Sequence, residues 1–276
     1  MNPVADLHLH STASDGVLAP AEVVRRAHTA GLAAIALTDH DTVAGVPEAV
    51  AEGDRLGLRV VSGCEFSVQA PWGEIHVLGY FLPLDDPAMD AFLLEARQLR
   101  ITRAERIVAA LKAWGVDIET DQVMAEAGTA AVGRPHVARA LVRLGKVPDV
   151  ATAFDDFLGQ GRRAYVEKVL PTLREVADLV HATGGLISAA HLRERANRST
   201  LALLQQDGLD AVEVRHPSHS PETTAGIAGQ ARALGLLLTG GSDWHGDGAG
   251  NPNSALGTQV IPIEWLHALD QAVMAK

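Results

Sequence analysis

Asp6-Leu7-His8-Leu9-His10 alternates polar and apolar residues in the way that is typical of a β-strand. Successive side chains of a strand point to opposite faces, so Asp6, His8 and His10 share one face and the two leucines share the other. Two imidazoles on one face can bind one divalent cation, with nitrogen ligands at about 2.0–2.2 Å. Taken alone, His-x-His is equally compatible with a polar strand edge, because short motifs match easily by chance.

Further histidine and acidic residues follow other strand-like segments of the chain. A hydrophobic core alone does not explain so many potential ligands at strand ends, whereas parallel α/β barrels carry their active sites at the carboxyl ends of strands. The sequence therefore predicts a metal cluster. Asp15 follows the first strand. The other potential ligands lie in the segments Thr38-Asp39-His40, Gly63-Cys64-Glu65, Glu74-Ile75-His76, Ala190-His191 and Ser242-Asp243-Trp244-His245.

The composition is that of an α/β protein with a sizeable core. Of the 276 residues, 47% are hydrophobic but only 4% are aromatic, so the core must consist of Ala, Val, Leu and Ile. The single cysteine, Cys64, cannot form an intramolecular disulfide, which favours a reducing compartment. Met1-Asn2-Pro3 leads directly into the first strand, and no apolar stretch approaches the ~20 residues of a membrane span. We therefore expect a cytoplasmic protein without a membrane partner.

The net charge of −11 argues against a basic surface for long nucleic acids. It is compatible with a small anionic substrate, because bound divalent cations would make the site locally positive.

The apolar patterns predict alternating strands and helices, interrupted by a helical insertion at 97–170. Residues 1–96 and 171–276 would form an irregular parallel barrel, and the insertion would cap its mouth. Besides 6–10, strands are predicted at 33–37, 59–64, 75–81, 185–190, 211–215, 236–240 and 258–261. Helices are predicted at 20–30, 47–56, 88–114, 122–127, 135–144, 150–158, 172–183, 199–207 and 221–234, followed by a closing helix.

The potential ligands, in this order along the chain, resemble those of the PHP (polymerase and histidinol phosphatase) family of the amidohydrolase superfamily. The resemblance extends from Asp6 to His245 and implies a distorted (β/α)7 barrel that binds up to three divalent ions. It implies that His8, His10, Glu65 and Asp243 bind the first ion, that Glu65 bridges to a second ion completed by His76 and His191, and that Asp15, His40 and His245 bind the third. No ligand of the pattern is missing.

The helical insertion and the motif Gly133-Arg134-Pro135-His136 resemble stand-alone members of the family. Those members act as nucleoside 3′,5′-bisphosphate phosphatases, and some also trim RNA from its 5′ end. We accordingly predict a nucleotide substrate or short RNA, with Arg103, Arg134 and His136 in substrate binding, since a planar guanidinium can grip a phosphate with two hydrogen bonds.

The predicted reaction is removal of the 3′-phosphate by a metal-bridging hydroxide, with a third ion neutralising the phosphate oxygens. Mixed His and carboxylate ligands favour Mn, with Fe or Zn as alternatives, over Mg or Ca. The sequence does not identify the general acid; His216, after a strand end, is a candidate.

Three other functions remain open on the sequence. They are a histidinol-phosphate-type small phosphomonoesterase, a 5′–3′ oligoribonucleotide exonuclease, and a non-enzymatic metal-binding module. The intact ligand set argues against the last of these.

Overall fold

The computed structural model describes residues 3–128, 130–247 and 255–275. The chain divides into two compact units: one comprises the residues up to Asp90 and from Leu170 onward, and the other is Ala91–Val169. The sequence placed this boundary at 97, and in the structure it lies between Asp90 and Ala91; both positions fall inside the helix Pro87–Ala113, where no local sequence signal marks a boundary. The capping role of the second unit stays a prediction.

The first unit is built around one eight-stranded sheet with the strand order β7-β6-β5-β4-β3-β2-β1-β8. Its strands are β1 (Val4–Leu9), β2 (Ala34–Leu37), β3 (Arg59–Ala70), β4 (Gly73–Tyr80), β5 (Leu186–Ala189), β6 (Ala211–Arg215), β7 (Leu237–Gly240) and β8 (Ile261–Pro262). Its helices are α1 (Pro20–Thr29), α2 (Val46–Leu56), α7 (Leu173–Ala182), α8 (Arg198–Gln206), α9 (Pro221–Leu234) and α10 (Ile263–Met274).

The sheet nearly closes into a barrel where β1 meets the segment that follows β7. Leu9 and Trp244 form a parallel bridge, and the His10 amide donates to the Trp244 carbonyl at 3.0 Å. The Asp243 amide donates to the His8 carbonyl at 2.9 Å in the same way. The prediction of a distorted α/β barrel is confirmed.

The predicted parallel order is wrong at β4. The strand β3 does not end at Cys64 but continues to Ala70, and β4 starts three residues later at Gly73, whose φ is +119°. Such a connection is too short for a crossover, so β3 and β4 form an antiparallel hairpin. β4 is also antiparallel to β5, and the short β8 is antiparallel to β1. The amino-terminal half of β4 therefore lies at the same sheet edge as the carboxyl ends of the parallel strands.

Apolar side chains of α1 pack against β2. In α1, Val23, Val24 and Ala27 are fully buried in a cluster that also contains Ile35 and Leu37 of β2. Because these positions recur with helical spacing, the pattern in the sequence was sufficient to predict this helix.

The second unit is helical and has its own core. It contains most of α3 (Pro87–Ala113), then α4 (Thr120–Ala127), α5 (Arg134–Arg143) and α6 (Val150–Ala153), which continues as one π-helical turn, Phe154–Leu158. Ile107, Leu111, Ile118, Val137 and Leu141 are among the residues of its hydrophobic cluster. An independent core of this kind is expected of a folded insertion.

No helix in the described ranges is both long enough and apolar enough to span a lipid bilayer.

Candidate metal centre

The nine sequence-predicted ligands come together at one edge of the sheet in the first unit. Three lie within strands, where β1, β3 and the antiparallel β4 reach this edge, and six lie in the segments that follow β1, β2, β5 and β7. The first three are His8, Glu65 and His76; the others are His10, Asp15, His40, His191, Asp243 and His245.

A first group of donor atoms belongs to His8, His10, Glu65 and Asp243. The Nε2 atoms of His8 and His10 are 3.1 Å apart. They lie 3.4 and 3.2 Å from Glu65 Oε2, and 3.5 and 3.2 Å from Asp243 Oδ1. Two ligands that bind one cation at about 2.1 Å are themselves about 3.0–3.4 Å apart, so this set fits a divalent ion.

A second group surrounds the other oxygen of Glu65. His76 Nδ1 is 2.9 Å and His191 Nε2 is 3.1 Å from Oε1. His40 Nδ1 also approaches the carboxylate, at 3.2 Å from Oε2, and groups with Glu65 and His76. Glu65 is 1% exposed and contacts donors on both sides, as the bridging role requires.

A third group consists of Asp15, His40, His245 and His10. His245 Nε2 is 3.3 Å from Asp15 Oδ1, and His40 Nε2 is 3.9 Å from Asp15 Oδ2. His10 Nδ1 lies 3.7 Å from Asp15 Oδ1, while its Nε2 belongs to the first group. The histidines therefore link the three groups into one cluster.

The charges of the cluster are arranged around ionised carboxylates. Burial raises the pKa of Glu65 and of Asp243, but the surrounding imidazoles outweigh it, so both pKa values lie well below the usual range. Burial likewise opposes protonation of His10, yet hydrogen bonds to Asp243 and Glu65 raise its pKa to about 10. Protons on such rings occupy positions that a metal cation would take.

His40 supplies a further test of whether the residues fit a cation. Burial lowers the pKa of His40 to about 3, so its ring is neutral at pH 7. Its buried Nδ1 makes no hydrogen bond to any residue that the structure describes, although Glu65 Oε2 is 3.2 Å away. A neutral ring nitrogen without a hydrogen bond beside a carboxylate oxygen is well placed to bind a cation.

Comparison with known proteins identifies the family. The family model of the PHP domain matches residues 6–211, a range that contains seven of the nine predicted ligands. The chain belongs to the PHP domain family. The predicted resemblance is thereby confirmed, and the His, Asp and Glu groups of this PHP site fit divalent metal ions.

Other proteins of known sequence or structure are similar to this PHP protein over most of its length. A 3′,5′-nucleoside bisphosphate phosphatase from Chromobacterium violaceum is 35% identical over 94% of this chain and 93% of its own. A 5′-3′ exoribonuclease from Haemophilus influenzae is 36% identical over 87% of this chain and 89% of its own. A crystal structure from Bifidobacterium adolescentis, described as a candidate metal-dependent phosphoesterase, is 30% identical, has a TM-score of 0.87, and covers 99% of this chain and 98% of its own.

The PHP site lines a cavity of about 560 Å³, a size suited to a small molecule. His216, which the sequence offered as a general acid, lies on the cavity wall with Nε2 3.4 Å from Asp243 Oδ2 and Nδ1 2.7 Å from Ser218 Oγ. Arg193, which the sequence analysis missed, also lines the cavity, and its φ of +55° is unusual for a side chain with a Cβ. No spacing rule links Arg193 to the predicted ligands, so no signal in the sequence pointed to it.

Two buried carboxylates accept hydrogen bonds from residues next to the predicted ligands. Asp39 accepts hydrogen bonds of 2.7 Å from the Ser11 amide, the Ser11 hydroxyl and the Ser14 hydroxyl, which fixes the turn after β1. Asp6 accepts from the Ser242 amide at 2.9 Å, and burial raises its pKa to about 6.

Two of the predicted substrate-binding residues, Arg103 and Arg134, contact the same aromatic ring in the second unit. The guanidinium carbons of Arg103 and Arg134 lie 5.9 and 5.7 Å from the centre of the Tyr165 ring. Arg103 also donates to the Val166 carbonyl at 2.8 Å, and Arg134 to the Leu158 carbonyl at 3.2 Å.

His136 has a different environment from the two arginines. Its side chain is 1% exposed, and its Nδ1 accepts from the Gly133 amide at 3.0 Å at the start of α5. A part for Arg103, Arg134 and His136 in substrate binding stays a prediction.

Proposed function

We propose that this protein is a metal-dependent phosphatase that hydrolyses nucleoside 3′,5′-bisphosphates to nucleoside 5′-monophosphates and phosphate. The observation that carries the proposal is the convergence of nine His, Asp and Glu side chains at one edge of the sheet, with Glu65 at the centre and six of the nine lining a cavity. Membership of the PHP family and the similarity to a named 3′,5′-nucleoside bisphosphate phosphatase support it.

The cofactors are divalent metal ions, one for each of the three donor groups. Histidine nitrogens mixed with carboxylates suit Mn²⁺, with Fe²⁺ and Zn²⁺ as alternatives. Ions bound there would acidify water and neutralise phosphate oxygens. The nine predicted residues are the ligands, and Glu65 contributes one oxygen to the first group and the other to the second.

We assign to His216 the role of the general acid, which donates a proton to the leaving 3′-oxygen. His216 is 4% exposed, it lines the cavity, and its Nε2 is 3.4 Å from Asp243 Oδ2. The Ser218 hydroxyl, 2.7 Å from Nδ1, fixes the orientation of the ring. A general acid must lie within hydrogen-bond reach of the leaving group, and a position on the wall beside the ligands allows this.

The preference for a bisphosphate requires a second anion-binding group, and we assign that role to Arg103 and Arg134. Their shared contact with Tyr165, together with hydrogen bonds to the Val166 and Leu158 carbonyls, holds both side chains in defined positions. Guanidinium groups that are already ordered lose less conformational entropy when they bind the distal 5′-phosphate.

A second candidate function is 5′–3′ exonuclease activity on short RNA. The similarity to a named 5′-3′ exoribonuclease from Haemophilus influenzae favours it. The first nucleotide of an RNA with a 5′-phosphate also carries a phosphorus on its 3′-oxygen, as a diester in place of the monoester of a bisphosphate. The net charge of −11 limits such substrates to short ones.

The decisive experiment incubates Mn²⁺-reconstituted protein with adenosine 3′,5′-bisphosphate, 3′-AMP, histidinol phosphate and a 5′-phosphorylated oligoribonucleotide. We expect AMP and phosphate from the first substrate at the highest kcat/KM, and about three metal ions per chain by elemental analysis. Faster release of mononucleotides from the oligoribonucleotide would favour the exonuclease. An active sample with one ion or fewer would overturn the three-ion centre.

A further inference from the structure

Glu213 is a carboxylate that neither the ligand motif nor the cavity wall includes. It lies in the middle of β6, in the sequence Ala211-Val212-Glu213-Val214-Arg215, and its side chain is 0% exposed. An acid between two valines of a buried strand carries a large desolvation cost, so its two oxygens must be satisfied by specific partners.

One oxygen of Glu213 contacts the ring of His8. Glu213 Oε1 lies 3.2 Å from His8 Nδ1, and His8 Nε2 is the atom that faces His10, Glu65 and Asp243. An ionised carboxylate only accepts hydrogen bonds, so Nδ1 must carry a hydrogen. In the neutral ring, the lone pair is then on Nε2, which is the nitrogen that points to the first group of ligands.

The other oxygen of Glu213 holds the backbone at His191. The His191 amide donates to Glu213 Oε2 at 2.7 Å. His191 has a φ of +34°, a conformation that a residue with a Cβ adopts only when its surroundings hold it there. The same residue places its Nε2 3.1 Å from Glu65 Oε1 in the second group.

We propose that Glu213 is a positioning residue of the metal centre, which fixes His8 in the Nδ1–H form with a bare Nε2 and holds the His191 backbone in the conformation that places its Nε2 beside Glu65. The inference rests on the proposed metal centre. One carboxylate thereby connects ligands of two different ions.

The substitution Glu213→Gln tests this role because it keeps the shape and removes the second acceptor. If the amide oxygen accepts from the His191 amide, the NH₂ group faces His8 Nδ1 and forces the hydrogen onto Nε2. If the amide is turned round, two donors oppose each other at His191. Either arrangement weakens metal binding, and losses of about 10–100-fold are typical when such a partner of a metal-binding histidine is removed.

Asp210→Asn, at the residue immediately before β6, is a matched control. Asp210 Oδ2 also accepts from one histidine ring, His181 Nε2 at 2.7 Å, and from one backbone amide of β5, Ile187 at 2.9 Å. Neither partner belongs to the metal groups. The variant therefore reports the effect of losing a carboxylate that ties a histidine to β5 without altering a ligand.

The measurements are the Zn²⁺ and Mn²⁺ dissociation constants by competition with a chelator, and thermal unfolding of the metal-free proteins. We expect Glu213→Gln to bind metal about 10–100-fold more weakly, Asp210→Asn to bind as the wild type does, and Glu213→Asp, which keeps two acceptor oxygens, to recover part of the affinity. Wild-type affinity in Glu213→Gln, or an equal loss in Asp210→Asn, would overturn the proposal.

A second readout is made on the wild-type protein and needs no Glu213 variant, because His8→Ala serves only to assign the signals. In Zn²⁺-loaded, ¹⁵N-histidine-labelled protein, the His8 signals, assigned by their loss in His8→Ala, should show a protonated Nδ1 and a metal-bound Nε2. A protonated Nε2 would overturn the proposal. Failure of the wild type to bind metal at all would instead refute the proposed function.

Discussion

Glu65 shares its two oxygens among five imidazoles. Oε2 lies within 3.4 Å of ring nitrogens of His8, His10 and His40, and Oε1 within 3.1 Å of those of His76 and His191. These partners belong to both the first and the second group of donor atoms. A change at this residue therefore affects two groups of ligands at once.

Glu65→Gln is expected to reduce kcat/KM for the bisphosphate by at least about a hundredfold, because a neutral amide cannot bridge two cations. Steady-state phosphate release with Mn²⁺ measures the loss, and circular dichroism shows that the fold is retained. His28→Ala and His267→Ala are controls, since both histidines are exposed helix residues, and we expect activity close to that of the wild type. Near-normal activity in folded Glu65→Gln would remove the bridging role.

The pKa of His10 predicts how the metal affinity depends on pH. Buried His10 has a pKa of about 10 because Asp243 and Glu65 outweigh the cost of burial, so its ring carries a proton at pH 7 in the metal-free protein. A metal ligand must be neutral, so binding releases this proton and affinity rises with pH up to about 10. Calorimetric titration with Mn²⁺ in two buffers of different ionisation enthalpy should show at least one proton released per chain. Identical heats in both buffers would contradict this.

Most of the predicted ligands had a local sequence signal, a His or acid in or directly after a hydrophobic run, whereas Asp15 had none. Glu213 had a weaker signal of the same kind, a charged residue between valines, but it lies inside the strand and not at its end. Arg193 had none, because its place on the cavity wall depends on the backbone turn after His191. Residues that act through tertiary contacts need the structure.

At the scale of elements, the hydrophobic pattern predicted the strands but not their directions. Alternation along β3 and β4 is the same whether the pair is parallel or antiparallel, and only the two-residue connection before Gly73 decides it. The hairpin is what brings His76 next to Glu65: Ser67 pairs with His76, and Glu65 with Leu78.

Gly241 lies where the barrel nearly closes, and its replacement should affect both stability and metal binding. A Cβ added there would overlap the backbone nitrogen and Cβ of His8. We expect Gly241→Ala to lower the free energy of unfolding by about 1–3 kcal/mol and to weaken metal binding by displacing His8. Chemical denaturation and metal titration measure the two effects.

Gly226→Ala is the control for Gly241→Ala. Gly226 is an exposed residue of α9 with nothing within 4 Å of an added Cβ. Alanine there should raise the free energy of unfolding by about 0.5–1 kcal/mol and leave metal affinity unchanged. Unaltered metal affinity in Gly241→Ala would show that the close approach to His8 is not required for the site.

At the scale of the whole molecule, the ligand set and the predicted substrate-binding residues belong to different units. The sequence predicted both sets, but for different reasons: the ligands from their positions near strand ends, and Arg134 from the motif Gly133-Arg134-Pro135-His136. The metal groups fit any phosphate ester. Selectivity for a bisphosphate must therefore come from residues outside them.

Arg134→Ala tests that selectivity when two substrates are compared. A lost charge-assisted hydrogen bond is worth about 1.5–3 kcal/mol, so kcat/KM for adenosine 3′,5′-bisphosphate should fall roughly tenfold to a hundredfold. The slow reaction of 3′-AMP, which lacks the 5′-phosphate, should barely change. Arg106→Ala, at an exposed position of α3, is the matched control and should leave both substrates unaffected. An equal decrease for both substrates would mean that Arg134 supports the fold and does not bind the 5′-phosphate. If the wild type shows no preference for the bisphosphate, the protein is assigned only as a general phosphoesterase.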